Sequence, residues 1–114
     1  MSLGIRTYND TIFLLESCIN NNLPIILVFY INTCPYCKDM FPAWNKASEK
    51  QTQLIFSHIE CSSDKSRFKK SFNIITFPHI VLYDDSGFHK LDVERTEESF
   101  VHATKHIKSR LKKY

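Results

Sequence analysis

Seven consecutive apolar residues at positions 25–31, Ile-Ile-Leu-Val-Phe-Tyr-Ile, constrain the fold of this chain more than any other feature. They are rich in β-branched and aromatic types and do not alternate with polar ones, the pattern of a strand buried on both faces. Such a strand belongs at the centre of a sheet, between helices. The chain has 114 residues, 43% of them hydrophobic, including nine Phe and five Tyr, which suffices for one core and one domain over 1–114. It contains only two Gly and four Pro and no low-complexity tract or internal repeat, so no linker is implied.

The segments around the central strand change period in turn. Tyr8, Ile12, Leu15 and Ile19 recur at helical spacing behind Asn9 or Asp10 as a cap, and Asn20 to Pro24 breaks the pattern. Positions 34–50 again read as helix, with Met40, Phe41, Trp44 and Ala47 on one side and Pro42 in the interior, where a missing N–H should bend it. Positions 54–60 alternate and predict a second strand, followed by a short helix with Phe68 and Phe72 four apart. A third strand at 77–83, the turn Asp84-Asp85-Ser86-Gly87 and a return at 88–93, with Leu91 and Val93 on one face, predict an antiparallel hairpin. The last helix starts near Thr96, backed by Glu97 and Glu98, and buries Phe100, Ala103, Ile107 and Leu111. Strand–helix–strand alternation favours parallel pairing through a right-handed crossover, and the class is α/β with a mixed sheet of four or five strands.

Cys34-Pro35-Tyr36-Cys37 stands where the central strand gives way to a helix. Residues three apart in a helix share a face with Cβ atoms about 5–6 Å apart, a spacing that a disulfide closes with modest strain. The first thiol then sits among the unpaired N–H groups of a helix start, where the dipole favours the thiolate. Cys34 is the expected nucleophile and Cys37 its resolving partner. A zinc site is the rival reading, completed by Cys61, His58 or His79, but zinc sites usually supply a second close pair of ligands and the sequence has none. Pro35, just after the first cysteine, also suits a helix start. Cys18 and Cys61 read as small buried hydrophobes, with regulatory oxidation as the sharper alternative. His79 reads as a strand histidine, or as a neighbour that tunes Cys34 or touches substrate. Trp44 reads as core.

The element order and the position of the cysteine pair resemble the thioredoxin superfamily, over residues 8–108. Cys37-Lys38-Asp39-Met40-Phe41-Pro42-Ala43-Trp44 is similar to the active-site helix of protein disulfide isomerase domains, which also carries a proline five positions after the second cysteine. Ile59-Glu60-Cys61 resembles their strand end, and Phe77-Pro78 the family's cis-proline. The dipeptide Pro35-Tyr36 is instead the glutaredoxin one. Two glutaredoxin features are missing, however: Ile31 stands in place of a lysine, and no Gly-Gly-Asp segment follows the proline strand. The resemblance implies a thiol–disulfide oxidoreductase working on protein substrates. Its Cys34–Cys37 redox disulfide would serve in place of any cofactor, with no metal. Tyr36, Phe77 and a cis Pro78 would contact substrate, and Pro35 and Lys38 would tune the thiols. Recycling would fall to an upstream reductase, glutathione or a thiol oxidase. Val28 stands where these families bury an acid, and Thr33 where they place a tryptophan, which implies an altered substrate surface and slower or differently regulated resolution by Cys37, with Lys38, Tyr36 or solvent substituting. The alternative from another class is a docking module whose thiols are idle.

The net charge of +3 is mild, and Lys105, Lys108, Arg110, Lys112 and Lys113 lie together after Glu98. Cations in a last helical turn complement its dipole, so they point to a polar helix end and away from nucleic acid, for which no aromatic interleaving is present. No apolar run reaches membrane-spanning length, and residues 1–8 lack a signal-peptide pattern. The C-terminal Leu-Lys-Lys-Tyr is not a retention signal. The expectation is a monomeric cytoplasmic protein in which four cysteines serve catalysis or the core.

Overall fold

The computed structural model describes residues 2–5, 7–51, 54–92 and 96–111, with side chains described within 3–104. The elements are β1 (Ser2–Ile5), α1 (Tyr8–Asn20), β2 (Ile25–Tyr30), α2 (Pro35–Lys50), β3 (Ile55–Glu60), α3 (Lys65–Phe72), β4 (His79–Asp84), β5 (Gly87–Lys90) and α4 (Glu97–Leu111). They form an α/β thioredoxin fold with a mixed five-stranded sheet in the order β1-β3-β2-β4-β5. β1, β3 and β2 are parallel, whereas β4 runs antiparallel to β2 and to β5. No helix among the described residues is long and apolar enough to cross a membrane.

The unalternating run lies at the centre because each face of β2 meets its own core. Ile26 and Val28 pack with Met40, Trp44 and Ala47 of α2, Phe56 of β3 and Phe100 of α4. Ile25, Leu27 and Phe29 pack on the other face with Leu15 and Cys18 of α1, Ile59, Cys61 and Phe68. Trp44 is wholly buried edge-on to Phe56 and Phe100, at 5.1 and 5.4 Å between centroids. Its indole N–H finds no acceptor among the described residues.

β1 adds an element that the sequence reading does not contain. Four residues including a glycine carry little intrinsic strand signal, and pairing with β3 is what orders them. This pairing also explains the polar positions of β3: Ser57 is fully buried and donates its hydroxyl to the Leu3 carbonyl at 2.9 Å. Gly4 faces His58 so closely that a Cβ there would lie 3.0 Å from Nε2.

α1 corrects two expectations. Its cap is Thr7, whose hydroxyl accepts the Asp10 amide at 3.0 Å, in place of Asn9 or Asp10. The buried stripe is Thr11, Leu15 and Cys18, and Ile19 is 39% exposed, because docking on β2 turns the helix by about one position from the purely apolar choice. Thr11 tolerates burial by donating its hydroxyl to the Thr7 carbonyl.

Smaller differences fall at element ends. β2 stops at Tyr30, β3 begins at Ile55, and β4 begins at His79, directly after the cis Phe77–Pro78 bond. α2 continues through Pro42 as one element. At the hairpin Gly87 takes φ 110°, a conformation that disfavours any side chain. Asp84 closes this turn by accepting from the Ser86 amide and hydroxyl and from His89. Thr96 caps α4 through the Ser99 amide. Val93 and the side chains of Ile107, Leu111 and the C-terminal cations lie outside the described residues.

Candidate active site

Cys34 ends the loop after β2 and caps α2. Its backbone is extended (φ −90°, ψ 111°), and its amide donates to the Ile31 carbonyl at 3.1 Å. Pro35 occupies the first helical turn, where a missing N–H costs nothing and φ is already set. The Cys34 sulfur accepts the Cys37 amide at 3.3 Å, taking the place that a Ser or Asp oxygen fills at other helix starts. Its thiol in turn donates to the Phe77 carbonyl, at 3.8 Å.

Two segments 43 positions apart therefore meet at one sulfur: the start of α2 and the cis-proline turn. Cys34 is half-buried and Cys37 wholly buried, and all four cysteines are free thiols. Cys34 is the more accessible of the pair, with Cys37 one helical turn behind. Tyr36 projects outward, 68% exposed, and Pro35 and Lys38 are exposed on the same turn.

The core packed against α2 is apolar. Val28 is fully buried in the cluster with Met40 and Trp44, so no ionisable group occupies its place. Its register partner His58 is half-buried, edge-on to Phe41 with centroids 5.6 Å apart, and burial holds its imidazole below the ordinary histidine range. Tyr30 packs edge-on to Phe41 at 4.9 Å. Its hydroxyl is pushed above the usual range by burial first, then by Glu60, Cys61 and Cys37.

Sequence reasoning missed the role of Glu60. Its carboxylate accepts the Asn32 amide at 2.7 Å, the Ser62 amide at 2.6 Å and the Ser62 hydroxyl at 2.6 Å. It thus ties the loop carrying Cys34 to the loop after β3. Burial pushes its carboxyl up, but the bonds from Ser62 and Asn32 outweigh that and hold it below the usual carboxylate range. Asn32 and Glu60 are 28 positions apart, and only the Tyr30–Glu60 register brings them together. No local signal along the chain marks such a contact.

The remaining candidates separate from this site. Cys61 is fully buried on the α1–α3 side, its thiol donating to the Ile59 carbonyl at 3.5 Å and pushed up to about 12, chiefly by burial. Burial likewise raises Cys18. His79 follows Pro78, but its ring packs toward Phe29, 6.0 Å away, and lines a groove of about 380 Å³ with Phe72, Val81, Phe88 and Lys90. Burial and then Lys90 depress its imidazole. Among the described residues no three His, Cys, Asp or Glu side chains are disposed to hold a metal ion, so the zinc set is not assembled.

The family model described as thioredoxin matches residues 7–107. The chain is 34% identical over 84 residues to the ER-retained PMA1-suppressing protein 1 of Saccharomyces cerevisiae, a match covering 67% of this chain but only 12% of that protein. Among solved structures, thioredoxin NaTrxh from Nicotiana alata superposes with a TM-score of 0.80 at 20% identity, over 93% of this chain and 91% of that one. The J-Trx1 fragment of ERdj5 gives 0.77 at 17% identity, over 94% and 52%. At those identities the two structures speak for the fold, and the family match speaks for descent. This chain belongs to the thioredoxin family, with Cys34 and Cys37 as its Cys-x-x-Cys pair.

Proposed function

We propose that the chain exchanges disulfides with protein substrates through Cys34 and Cys37. The observation that carries this reading is the placement of the Cys34 sulfur between the Cys37 amide and the Phe77 carbonyl, with the Cys37 thiol behind it. The Cys34 thiolate attacks one sulfur of a substrate disulfide, whose S–S bond breaks as a mixed disulfide forms and a substrate thiolate leaves. Cys37, having lost its proton, then attacks the Cys34 sulfur and releases the second substrate thiolate. The substrate gains two electrons and the chain is left with a Cys34–Cys37 disulfide, which an external thiol reduces. Run backwards, the same steps oxidise a substrate dithiol. Incomplete resolution lets a substrate thiol attack again, which is isomerisation.

The apolar environment of Val28 bears on the second step. Position 28 offers no ionisable side chain for the Cys37 proton, so resolution is slower or differently regulated than with an acid there. The cytoplasmic setting expected from the sequence draws no support from the yeast relative, which is described as ER-retained. An oxidising lumen accords with the same chemistry.

Replacing Cys37 by Ser tests the reading, because mixed disulfides should accumulate through Cys34 and disappear with dithiothreitol. Should no adducts form, and wild type fail to speed insulin reduction, the exchange reading is wrong.

A further inference from the structure

The positive charge of this chain is unevenly placed. Residues 65–83 contain Lys65, Arg67, Lys69 and Lys70 and no acidic residue, whereas the rest of the chain carries eleven basic residues against twelve acidic ones. In the fold this acid-free stretch is α3, the cis-proline turn and β4 up to Tyr83, a wall that meets Cys34 at the Phe77 carbonyl. The Lys65 ammonium lies 6.0 Å above the Phe77 ring, on the residue whose carbonyl receives the Cys34 thiol. Lys69 and Lys70 are exposed in the last turn of α3, and none of the four cations forms an ion pair among the described residues. Asp64, the nearest acid in sequence, accepts the Tyr8 amide at 3.3 Å.

The wall also carries apolar surface. Ile75 is 81% exposed between α3 and Phe77, and beyond His79 the groove of about 380 Å³ opens between the end of α3 and the β4–β5 hairpin. That groove is lined by Ser71, Phe72, Asn73, His79, Val81, Phe88 and Lys90, with no carboxylate. An extended segment laid along Phe77 therefore passes cations and apolar patches, and meets a carboxylate only at the far end, where Asp92 pairs with Lys90 at 3.5 Å. Exposed ion pairs add little each, yet several of one sign steer and select.

We propose that α3 and the cis-proline turn form a specificity wall that selects substrates whose disulfide is flanked by acidic residues, with an apolar residue seated near Ile75 or in the groove. This deepens the disulfide-exchange reading and rests on it for the reaction, though not for binding. Lys65, whose ammonium lies over the Phe77 ring, carries the largest share.

Three labelled disulfide peptides, identical but for Glu, Gln or Lys flanking the cysteine, test it on the full chain. In low salt the Glu peptide should be reduced faster than the Gln peptide and that faster than the Lys peptide, with about fivefold between the extremes, and the spread should collapse at 0.5 M salt. Lys65→Glu with Lys69→Glu should reverse the order. If that variant does not fold, Lys65→Gln with Lys69→Gln should abolish the order. Fluorescence anisotropy with the Cys34→Ser, Cys37→Ser chain gives the same ranking without chemistry. If wild type reduces none of the peptides but the anisotropy ranking persists, the exchange reading fails and the wall stands. Equal reduction and binding of all three peptides overturns the wall. So does binding to phosphatidylserine vesicles without any peptide ranking, which would assign these cations to a lipid surface.

Discussion

The two sides of the sheet differ most in what they do with sulfur. On the α2 side, Cys34 and Cys37 sit at a helix start, where one sulfur accepts a backbone amide and donates to a carbonyl from another segment. On the α1–α3 side, Cys18 and Cys61 are closed inside an apolar cluster with Leu15, Phe29 and Phe68. Side-chain chemistry is identical in the two places, so reactivity comes from backbone geometry and access. Cys61 shows the point most sharply: it stands between Glu60 and Ser62, yet its thiol is closed inside the core and bonded to the Ile59 carbonyl.

The sharpest way to break this contrast is substitution. Cys34→Ser should reduce insulin turnover to the uncatalysed background, whereas Cys18→Ala and Cys61→Ala should keep it within about twofold of wild type. Equal losses from both sides would refute the contrast. Alkylation by iodoacetamide probes the same difference without catalysis. At pH 8 a thiol pushed up to about 12 is ionised in about one molecule in ten thousand, so Cys61 should be modified only after unfolding in guanidinium, and Cys34 in the native protein. Peptide mass mapping reads out both sites.

Stability measurements sharpen the comparison further. Trp44→Ala on the α2 side should cost about 3–5 kcal/mol and Leu15→Ala on the other about 2–5 kcal/mol by urea unfolding. Only the first should also slow exchange, because Trp44 seats the helix that presents the thiols. Trp44→Phe should cost less than Trp44→Ala, since it keeps most of the ring and removes a buried N–H that has no acceptor. The smallest effect belongs to Glu60→Gln, about 1–3 kcal/mol at pH 7. Glu60 has a folded pKa below its unfolded one, so its contribution is complete above the ordinary carboxylate value of about 4.3 and is lost as pH falls through the depressed folded value. Asp84 is depressed in the same direction: burial opposes the shift, and the bonds from Ser86 and His89 outweigh it. Urea midpoints between pH 6 and 3 should therefore fall less steeply in Glu60→Gln than in wild type, with the remaining slope assigned in part to Asp84.

Legibility followed the range of the forces involved. β2 could be read because seven apolar residues are a local pattern, and the hairpin because Asp84 to Gly87 is local turn chemistry. Cys34, Cys37, Phe77 and Pro78 could be picked out as motif residues, and the fold brings the first three together within hydrogen-bonding reach. β1 is not legible because Ser-Leu-Gly-Ile is short and interrupted by a glycine, and its order comes from β3. The face of α1 was misread because Thr11 and Cys18 bury better in this docking geometry than Ile12 and Ile19, and periodicity alone cannot set helix rotation. Glu60 escaped notice because its partners come from a strand register formed only on folding.

β3 has one more consequence. The strand that Ser57 and His58 join to β1 is the strand whose last residue grips the amide of Asn32. Residues 2–5 and the loop that leads to Cys34 are thus held by one strand, the first along its edge and the second at its end.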